Sequence, residues 1–192
     1  DYNGKEQEGS FIYQVTQKNG ERCSAAKGYL TPNLGRGNLR VFTNAPTDKL
    51  IFEGKRCIGV RFFDGSETRE VRARREVIVS AGAFGSPQTL QLSGIGPGAE
   101  LQAMGIQTLH DLPGVGRNLQ DHIDYVVPYK VKTTEETFGV SLSGGLRLAG
   151  AALEWKKKRS GVIASPFAEA GAFSRSAPGL AAPDLQFVFV VA

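Results

Sequence analysis

The residues Glu76–Gly96, "EVIVSAGAFGSPQTLQLSGIG", decide the fold predicted for this chain. They open on a run that is apolar on both faces, which is typical of a strand inside a parallel sheet. Ala81 and Gly82 follow, and small residues at the end of such a strand let backbone amides approach a nucleotide. Ser86 as N-cap and Pro87 at the first helical position then predict a helix. The stretch therefore indicates a strand–turn–helix unit of a nucleotide-binding domain, although the G-x-G-x-x-G spacing is missing.

The region upstream of this stretch predicts an antiparallel meander. Turn-forming residues, "PT", "EGK" and "DGS", interrupt runs that are rich in β-branched and aromatic side chains. Short connections of this kind join antiparallel strands, and Asn19-Gly20 is a strong hairpin signal. Ser24 is expected to cap a short helix over Ala25–Leu30. The predicted strands are residues 10–18, Leu39–Asn44, Asp48–Phe52, Cys57–Phe63, Thr68–Ala73 and Glu76–Ser80.

The region downstream mixes helices and strands. Its apolar spacing predicts helices over residues 98–105 and 141–159, and strands over residues 123–132, 169–175 and 184–192. A meander followed by such a mixture indicates an α+β body to which a fragment of an α/β domain is attached.

Composition excludes several classes of protein. The 192 residues carry a formal net charge of +4, and 41 % are hydrophobic, which is ordinary for a globular protein. No apolar run approaches ~20 residues, so we expect no transmembrane segment. Two His and two Cys residues without a C-x-x-C pattern predict no metal site and favour a reduced, cytoplasmic location. The basic runs Arg72–Arg75 and Lys156–Arg159 lack interleaved aromatic residues, so nucleic-acid binding is not expected.

Several segments, taken in order, resemble the glucose–methanol–choline (GMC) oxidoreductases. They are "QEGSFIYQVTQKNGERCSAAKGYL", "NLRVFTNAPTDKLIFEGKRCIGVRF", "EVIVSAGAFGSPQTLQLSGIGP", "LPGVGRNLQDHIDY", "EAGAFSRS" and "PDLQFVFV". The patterns S-P-x-x-L-x-x-S-G-I-G and G-V-G-x-N-L-Q-D-H are the most specific parts. The resemblance runs from about residue 7 to the end, and it is to choline- and alcohol-dehydrogenase-type members.

The resemblance implies an enzyme with an FAD domain and a substrate domain whose antiparallel sheet roofs the flavin. This chain would be α+β: an antiparallel sheet with helices, plus one strand–helix unit belonging to the FAD-binding α/β domain. Residues 1–74 would begin the substrate-side region with antiparallel strands. Residues 75–120 would supply the FAD-domain strand, helix and glycine-rich loop, and residues 121–192 would form the C-terminal, truncated part of the substrate domain.

The activity that the resemblance implies is oxidation of a primary alcohol to the aldehyde. In the family, a basic His removes the alcohol proton and a hydride passes to flavin N5. The G-x-G-x-x-G motif and the catalytic His motifs do not occur here, and His110 and His122 lie outside them. We therefore expect a piece of a longer FAD-dependent alcohol or choline dehydrogenase or oxidase, without a catalytic residue in this chain. The isolated chain is expected to be inactive and not to bind FAD.

Three residues are candidates for contact with FAD. By resemblance, Ala81 and Gly82 contact the adenosine-diphosphate half of the cofactor, and Thr47 lies near the adenine where relatives usually carry Val. A Val-to-Thr change preserves a backbone contact, because both side chains are β-branched and similar in size. The alternatives are that Gly82 only permits a tight turn and that Thr47 is a plain strand or turn residue.

Two further residues are candidates for contact with the substrate. Asp124 matches an acidic position, usually Glu, that faces the cationic head in choline-oxidising members, and a strand-edge acid is the alternative. Val188 stands where choline-type relatives tend to have His, and it makes the roof of the site more apolar. These two differences favour an uncharged primary alcohol over choline. Asn118 and the pair Asp121–His122 are expected to satisfy backbone groups of the glycine-rich loop rather than to act as a general base.

The predicted partner is a small alcohol substrate. The apolar strand at Pro183–Ala192 leads us to expect self-association through an exposed sheet edge. The predicted location is cytoplasmic. The alternative is that the protein contacts a membrane peripherally through an electron acceptor. The alternative function is a non-catalytic, stand-alone binding module derived from the same fold.

Overall fold

The structure is a computed structural model, and it describes residues 2–130, 132 and 141–190. The chain divides into two compact units, one formed by Asp1–Leu39 with Val127–Ala192 and the other by Arg40–Val126. Both units combine helices with antiparallel strands, which confirms the predicted α+β class. The boundaries of these units differ from those of the predicted ranges 1–74, 75–120 and 121–192. Those ranges refer to domains of a whole enzyme, and they stay a prediction.

The described residues form short strands and three α-helices. The strands are β1 (Gly9–Ile12), β2 (Gln17–Lys18), β3 (Glu21–Arg22), β4 (Thr47–Glu53), β5 (Arg56–Phe63), β6 (Thr68–Arg72), β7 (Ile95–Gly96), β8 (His110–Asp111), β9 (Ala168–Ser174) and β10 (Leu185–Val190). The α-helices are α1 (Gly82–Leu92), α2 (Gly98–Ala103) and α3 (Leu142–Lys158). Within the described ranges, no helix combines the length and the apolar character that a membrane crossing requires.

The unit Arg40–Val126 is built on the meander β4–β5–β6, in which neighbouring strands are antiparallel. This confirms the three strands that were predicted between Asp48 and Ala73. Helix α1 packs against β4. The buried apolar side chains of this unit come from β4, β5 and α2, and they are Leu50, Ile58, Phe62 and Leu101.

The turn between β5 and β6 is organised by Asp64. Its Oδ1 accepts hydrogen bonds from the backbone N–H groups of Ser66 and Glu67, both at 3.0 Å, and from the Ser66 hydroxyl at 2.8 Å. The backbone hydrogen bond from Glu67, with those from Ser66 and the charge of Arg69, lowers the pKa of Asp64 from 3.8 to about 2. The ionised carboxylate therefore stabilises the turn.

A carboxyl group whose pKa is lower in the folded state adds stability above its unfolded pKa, and that stability is lost as the pH falls. We expect the free energy of unfolding to decrease between about pH 4 and pH 2 partly through Asp64. Asp64→Asn should make this decrease less steep. Urea denaturation at a series of pH values measures it, and Glu70→Gln on the exposed strand β6 controls for the loss of one negative charge. Equal slopes in wild type and Asp64→Asn would contradict the assignment.

The unit Asp1–Leu39 with Val127–Ala192 contains a second antiparallel sheet, in the order β1–β9–β10. The strands predicted at 169–175 and 184–192 are confirmed as β9 and β10, and residues 191 and 192 lie outside the described residues. An aromatic cluster covers part of this sheet: the Tyr2 ring stacks on Phe11 at 4.5 Å, and Phe11 contacts Tyr13 and Phe173 at 5.1 Å and 4.9 Å between ring centroids.

Helix α3 and the hairpin β2–β3 also behave as predicted. Ser141 caps α3, because its Oγ accepts a hydrogen bond of 3.0 Å from the N–H of Gly144. Asn19 and Gly20 both have positive φ, as a two-residue hairpin turn requires. Trp155 of α3 donates its Nε1–H to the Gly20 carbonyl at 2.6 Å, which fixes the turn against the helix. The helix expected over Ala25–Leu30 is a single π-helical turn at Ala26–Leu30, and Ser24 Oγ accepts from its Lys27 N–H.

Three predicted strands are wrong for the described residues. Leu39–Asn44, Glu76–Ser80 and the described part of 123–132 form no ladder, and the predicted strand 10–18 splits into β1 and β2. An apolar pattern indicates which side chains favour burial, but a strand also needs a hydrogen-bonded neighbour at about 4.8 Å. No described strand pairs with these segments, and Ile78 and Ile123 are 77 % and 101 % exposed.

Candidate functional site

The turn before α1 carries the two principal candidate residues, Ala81 and Gly82. Gly82 has φ +81°, a conformation that favours glycine, and Ala81 occupies the N-cap position. Helix α1 therefore begins at Gly82, and the prediction that Ser86 caps it is wrong. Ser86 lies inside the helix, where its Oγ accepts a hydrogen bond of 3.0 Å from the N–H of Ala81. Pro87 is likewise inside the helix rather than at its first position.

This turn has the properties that an anionic group needs. The first amides of an α-helix have no intrahelical acceptor, and the helix dipole places partial positive charge there. The first turn of α1 contains no acidic residue, and Ala81 through Phe84 are exposed. A Cβ built on Gly82 would meet no atom within 4 Å, so the space beside it is open. The turn is therefore open to an anionic group of a ligand, and its contact with FAD stays a prediction.

Ser93, at the other end of α1, fixes the helix to the meander. Its hydroxyl oxygen accepts a hydrogen bond of 2.8 Å from the N–H of Leu50 in β4, and its O–H donates to the Thr89 carbonyl at 2.6 Å. The serine of the S-G-I-G motif is therefore a structural residue that holds α1 on the edge of the sheet. This role of Ser93 was not among the predictions, although a polar residue at the end of a predicted helix was its signal in the sequence.

The second motif, the glycine-rich loop, packs against the first. Gln91 of α1 donates its Nε2–H to the Val115 carbonyl at 3.1 Å. A Cβ on Gly116 would lie 2.6 Å from that nitrogen and would displace the Gln91 amide, and the φ of +79° at Gly116 favours glycine. Asp111 of β8 accepts from the N–H of Gly98, at the start of α2, with 2.9 Å between the atoms. The two motifs are thus one packed substructure behind the candidate turn.

Thr47 and Asp124 lie in the same compact unit as this turn. Thr47 is the first residue of β4, opposite Phe62 of β5, and it is exposed. Because α1 packs on β4, the structure brings the strand of Thr47 and the helix of Gly82 together. Asp124 is exposed in a segment without regular structure, so the predicted strand around it is absent. The adenine contact of Thr47 and the substrate contact of Asp124 stay predictions.

Val188 lies in the other unit, on β10, opposite Gly171 of β9. It is 51 % exposed and can therefore contact a ligand.

Among the described residues, the remaining polar and sulfur-containing candidates form only local contacts or none to a metal. Asp121 accepts a hydrogen bond of 2.8 Å from the backbone N–H of His122, which is a local structural contact. Cys23 and Cys57 are free thiols, and the described residues contain no cluster of three or more His, Cys, Asp or Glu side chains that would hold a metal.

The sequence motifs and the substructure that they build define the class of protein. Residues 1–124 match the profile described as GMC oxidoreductase. The chain is also 45 % identical over 192 residues to an oxygen-dependent choline dehydrogenase of Pectobacterium carotovorum, an alignment that covers 99 % of this chain and 34 % of that protein. The chain therefore belongs to the GMC oxidoreductase family.

Solved structures agree with this assignment. An FAD-dependent oxidoreductase from Chaetomium thermophilum superposes with a TM-score of 0.74 at 26 % identity, over 86 % of this chain and 30 % of that one. A fungal aryl-alcohol oxidase gives a TM-score of 0.69, also at 26 % identity, over 86 % of this chain and 29 % of that one. The chain thus spans about a third of the length of the curated relatives that it matches.

Proposed function

We propose that this chain is the middle segment of an FAD-dependent oxidoreductase that oxidises a primary alcohol to the aldehyde. One observation carries the proposal: nearly the whole chain aligns with about a third of an oxygen-dependent choline dehydrogenase. The GMC-type arrangement of α1 and the glycine-rich loop behind an open helix N-terminus supports it. When bound, FAD supplies the acceptor for the substrate hydride.

Within that enzyme, the residues of this chain bind and orient rather than react. The turn at Ala81 and Gly82 contacts the adenosine-diphosphate half of FAD through the first amides of α1, from Gly82 onward, because the Ala81 N–H already donates to Ser86. Thr47 lies near the adenine. Ser93 and Gln91 keep the turn in place by holding α1 on β4 and on the glycine-rich loop. No residue of this chain is proposed as the base that removes the alcohol proton, and alone the chain neither oxidises alcohols nor binds FAD tightly.

The substrate that we propose is a small, uncharged primary alcohol. Val188 offers an apolar, half-exposed surface to the site and has no polar atom to hold a substrate oxygen. Asp124 is one methylene shorter than the Glu of choline-oxidising relatives, so a quaternary ammonium would be held less closely. Choline itself is the second candidate, since the relative from Pectobacterium carotovorum is named a choline dehydrogenase.

The test uses the full-length gene product that contains this chain, purified with FAD. We expect anaerobic addition of benzyl alcohol or 1-butanol to bleach the flavin absorbance, and kcat/KM to be higher for these alcohols than for choline. The 192-residue chain mixed with FAD is the matched control, and it should show no bleaching. No bleaching of the full-length protein by any primary alcohol would refute the function, whereas a preference for choline would refute only the substrate.

A stand-alone binding module of the same fold is the competing function. The anaerobic addition of alcohols distinguishes it from an oxidoreductase, because a binding module would not bleach the flavin.

Self-association through β10 also stays a prediction. This strand forms one edge of its sheet, and its residues are exposed. The cytoplasmic location, with or without peripheral membrane contact, is part of the same proposal.

A further inference from the structure

The sheet β1–β9–β10 has a face that is defined by Val188. Gln186 and Val188 project to this face together, because alternate residues of a strand share a side. Val188 is paired with Gly171 of β9, and directly opposite residues project to the same side. Phe187 and Phe189 project to the opposite face. We call the first of these the Val188 face.

Tyr13 occupies the Val188 face at Gly171. A Cβ on Gly171 would lie 2.6 Å from the Tyr13 hydroxyl oxygen and 2.9 Å from its Cζ, so the phenol crosses β9 where glycine leaves room. The Tyr13 hydroxyl therefore lies over Gly171, the residue opposite Val188 on the same face of the sheet. Tyr13 is half-buried, which keeps its ring in place while the neighbouring Val188 is exposed.

A hydrogen bond from Gln186 orients this hydroxyl. The Gln186 Nε2–H donates to the Tyr13 hydroxyl oxygen at 3.0 Å. A phenol can accept and donate at once, so this contact leaves the O–H proton of Tyr13 for another acceptor. The structure thus places a protic donor on the same face as Val188, whose own side chain cannot form a hydrogen bond.

We propose that the Tyr13 hydroxyl donates a hydrogen bond to the oxygen of the alcohol substrate and that Gln186 orients it. The inference rests on the proposed function, which gives Val188 a place in the roof of the substrate site. A donor aimed at that oxygen positions the carbinol group and stabilises the negative charge that develops as its proton leaves. One O–H donor beside an apolar side chain recognises a neutral hydroxyl compound, which fits a small primary alcohol.

The test is Tyr13→Phe in the full-length, FAD-loaded gene product, because this change removes only the hydroxyl. We expect kcat/KM for benzyl alcohol and 1-butanol to fall roughly three- to tenfold, the effect of one lost hydrogen bond. Flavin content and melting temperature should remain those of the wild type. Tyr2→Phe is the matched control, since Tyr2 belongs to the same aromatic cluster but its hydroxyl contacts the backbone of Gln14. Tyr2→Phe should leave kcat/KM within about twofold of the wild type.

A second variant keeps the inference falsifiable if Tyr13→Phe does not fold. Gln186→Leu removes the orienting donor from an exposed position, and it should lower kcat/KM in the same direction by a smaller factor. If the wild-type enzyme is active and Tyr13→Phe keeps the wild-type kcat/KM, the role of Tyr13 is overturned and the proposed function stands. If Tyr13→Phe is unfolded, a Gln186→Leu variant that keeps the wild-type kcat/KM gives the same result. A wild-type enzyme that oxidises no alcohol would overturn the proposed function, on which this role depends.

Discussion

Replacing Gly94 by Ala is expected to destabilise the protein by about 3 kcal/mol. Gly94 follows the end of α1 with φ +84°, a conformation in which any residue with a Cβ is strained. The space is also filled, since a Cβ there would lie 2.5 Å from the Gln107 carbonyl oxygen and 3.1 Å from the Leu109 nitrogen. Both atoms belong to the backbone, and the N–H of Leu109 donates to the Gly94 carbonyl at 2.8 Å. The two backbone segments therefore cannot move apart without weakening this hydrogen bond.

The matched control for Gly94→Ala is Gly105→Ala. Gly105 follows the end of α2 with φ +74°, but a Cβ there would meet no atom within 4 Å. This variant has the conformational strain without the clash, and we expect it to cost about 1 kcal/mol. Urea denaturation of both variants measures the difference in the free energy of unfolding. Equal losses in the two variants would show that the contact between Gly94 and residues 107–109 contributes nothing.

Replacing Ala81 by Glu is expected to weaken FAD binding by the full-length enzyme by on the order of 100-fold. At roughly 6 Å and an effective dielectric constant of about 20, one carboxylate repels one phosphate charge by about 3 kcal/mol. Ala81 is exposed and has φ −90°, so Glu fits the backbone without strain. Titration of the apoenzyme with FAD, followed by flavin fluorescence, gives the dissociation constants.

Two controls separate charge from other causes. Ala81→Gln adds the same volume without charge, and it should weaken binding much less than Ala81→Glu. Ala99→Glu places the same carboxylate in the exposed first turn of α2, and it should leave FAD affinity unchanged. If Ala81→Glu binds FAD as tightly as the wild type, the turn at Ala81 and Gly82 is not a wall of the cofactor site.

The candidate site could be predicted only in part. The motif around Gly82 identified the turn, because small residues directly after an apolar run are a local signal that a single sequence shows. The partners of Ser93 and Gln91 could not be predicted, since Leu50 and Val115 lie far from them along the chain. Tyr13 was missed for the same reason: its position depends on Gly171 in a strand that follows more than a hundred residues later.

The start of α1 shows how local rules can mislead. Ser86 and Pro87 together satisfy the sequence rule for a helix N-terminus. The helix nevertheless begins at Gly82, and Ser86 Oγ accepts from the N–H of Ala81 from inside the helix. The earlier start adds a turn of helix, and it places the free amides beside Gly82 rather than beside Ser86.

The sequence by itself determined the elements whose signals are local. These are the capped helix α3, the hairpin at Asn19-Gly20, the meander β4–β6 and the family that the two motifs define. The tertiary structure alone decided which apolar segments become strands. Glu76–Ser80 is as apolar as a buried strand, yet it forms no ladder within the described residues, because backbone hydrogen bonds require a neighbouring strand that no local pattern supplies.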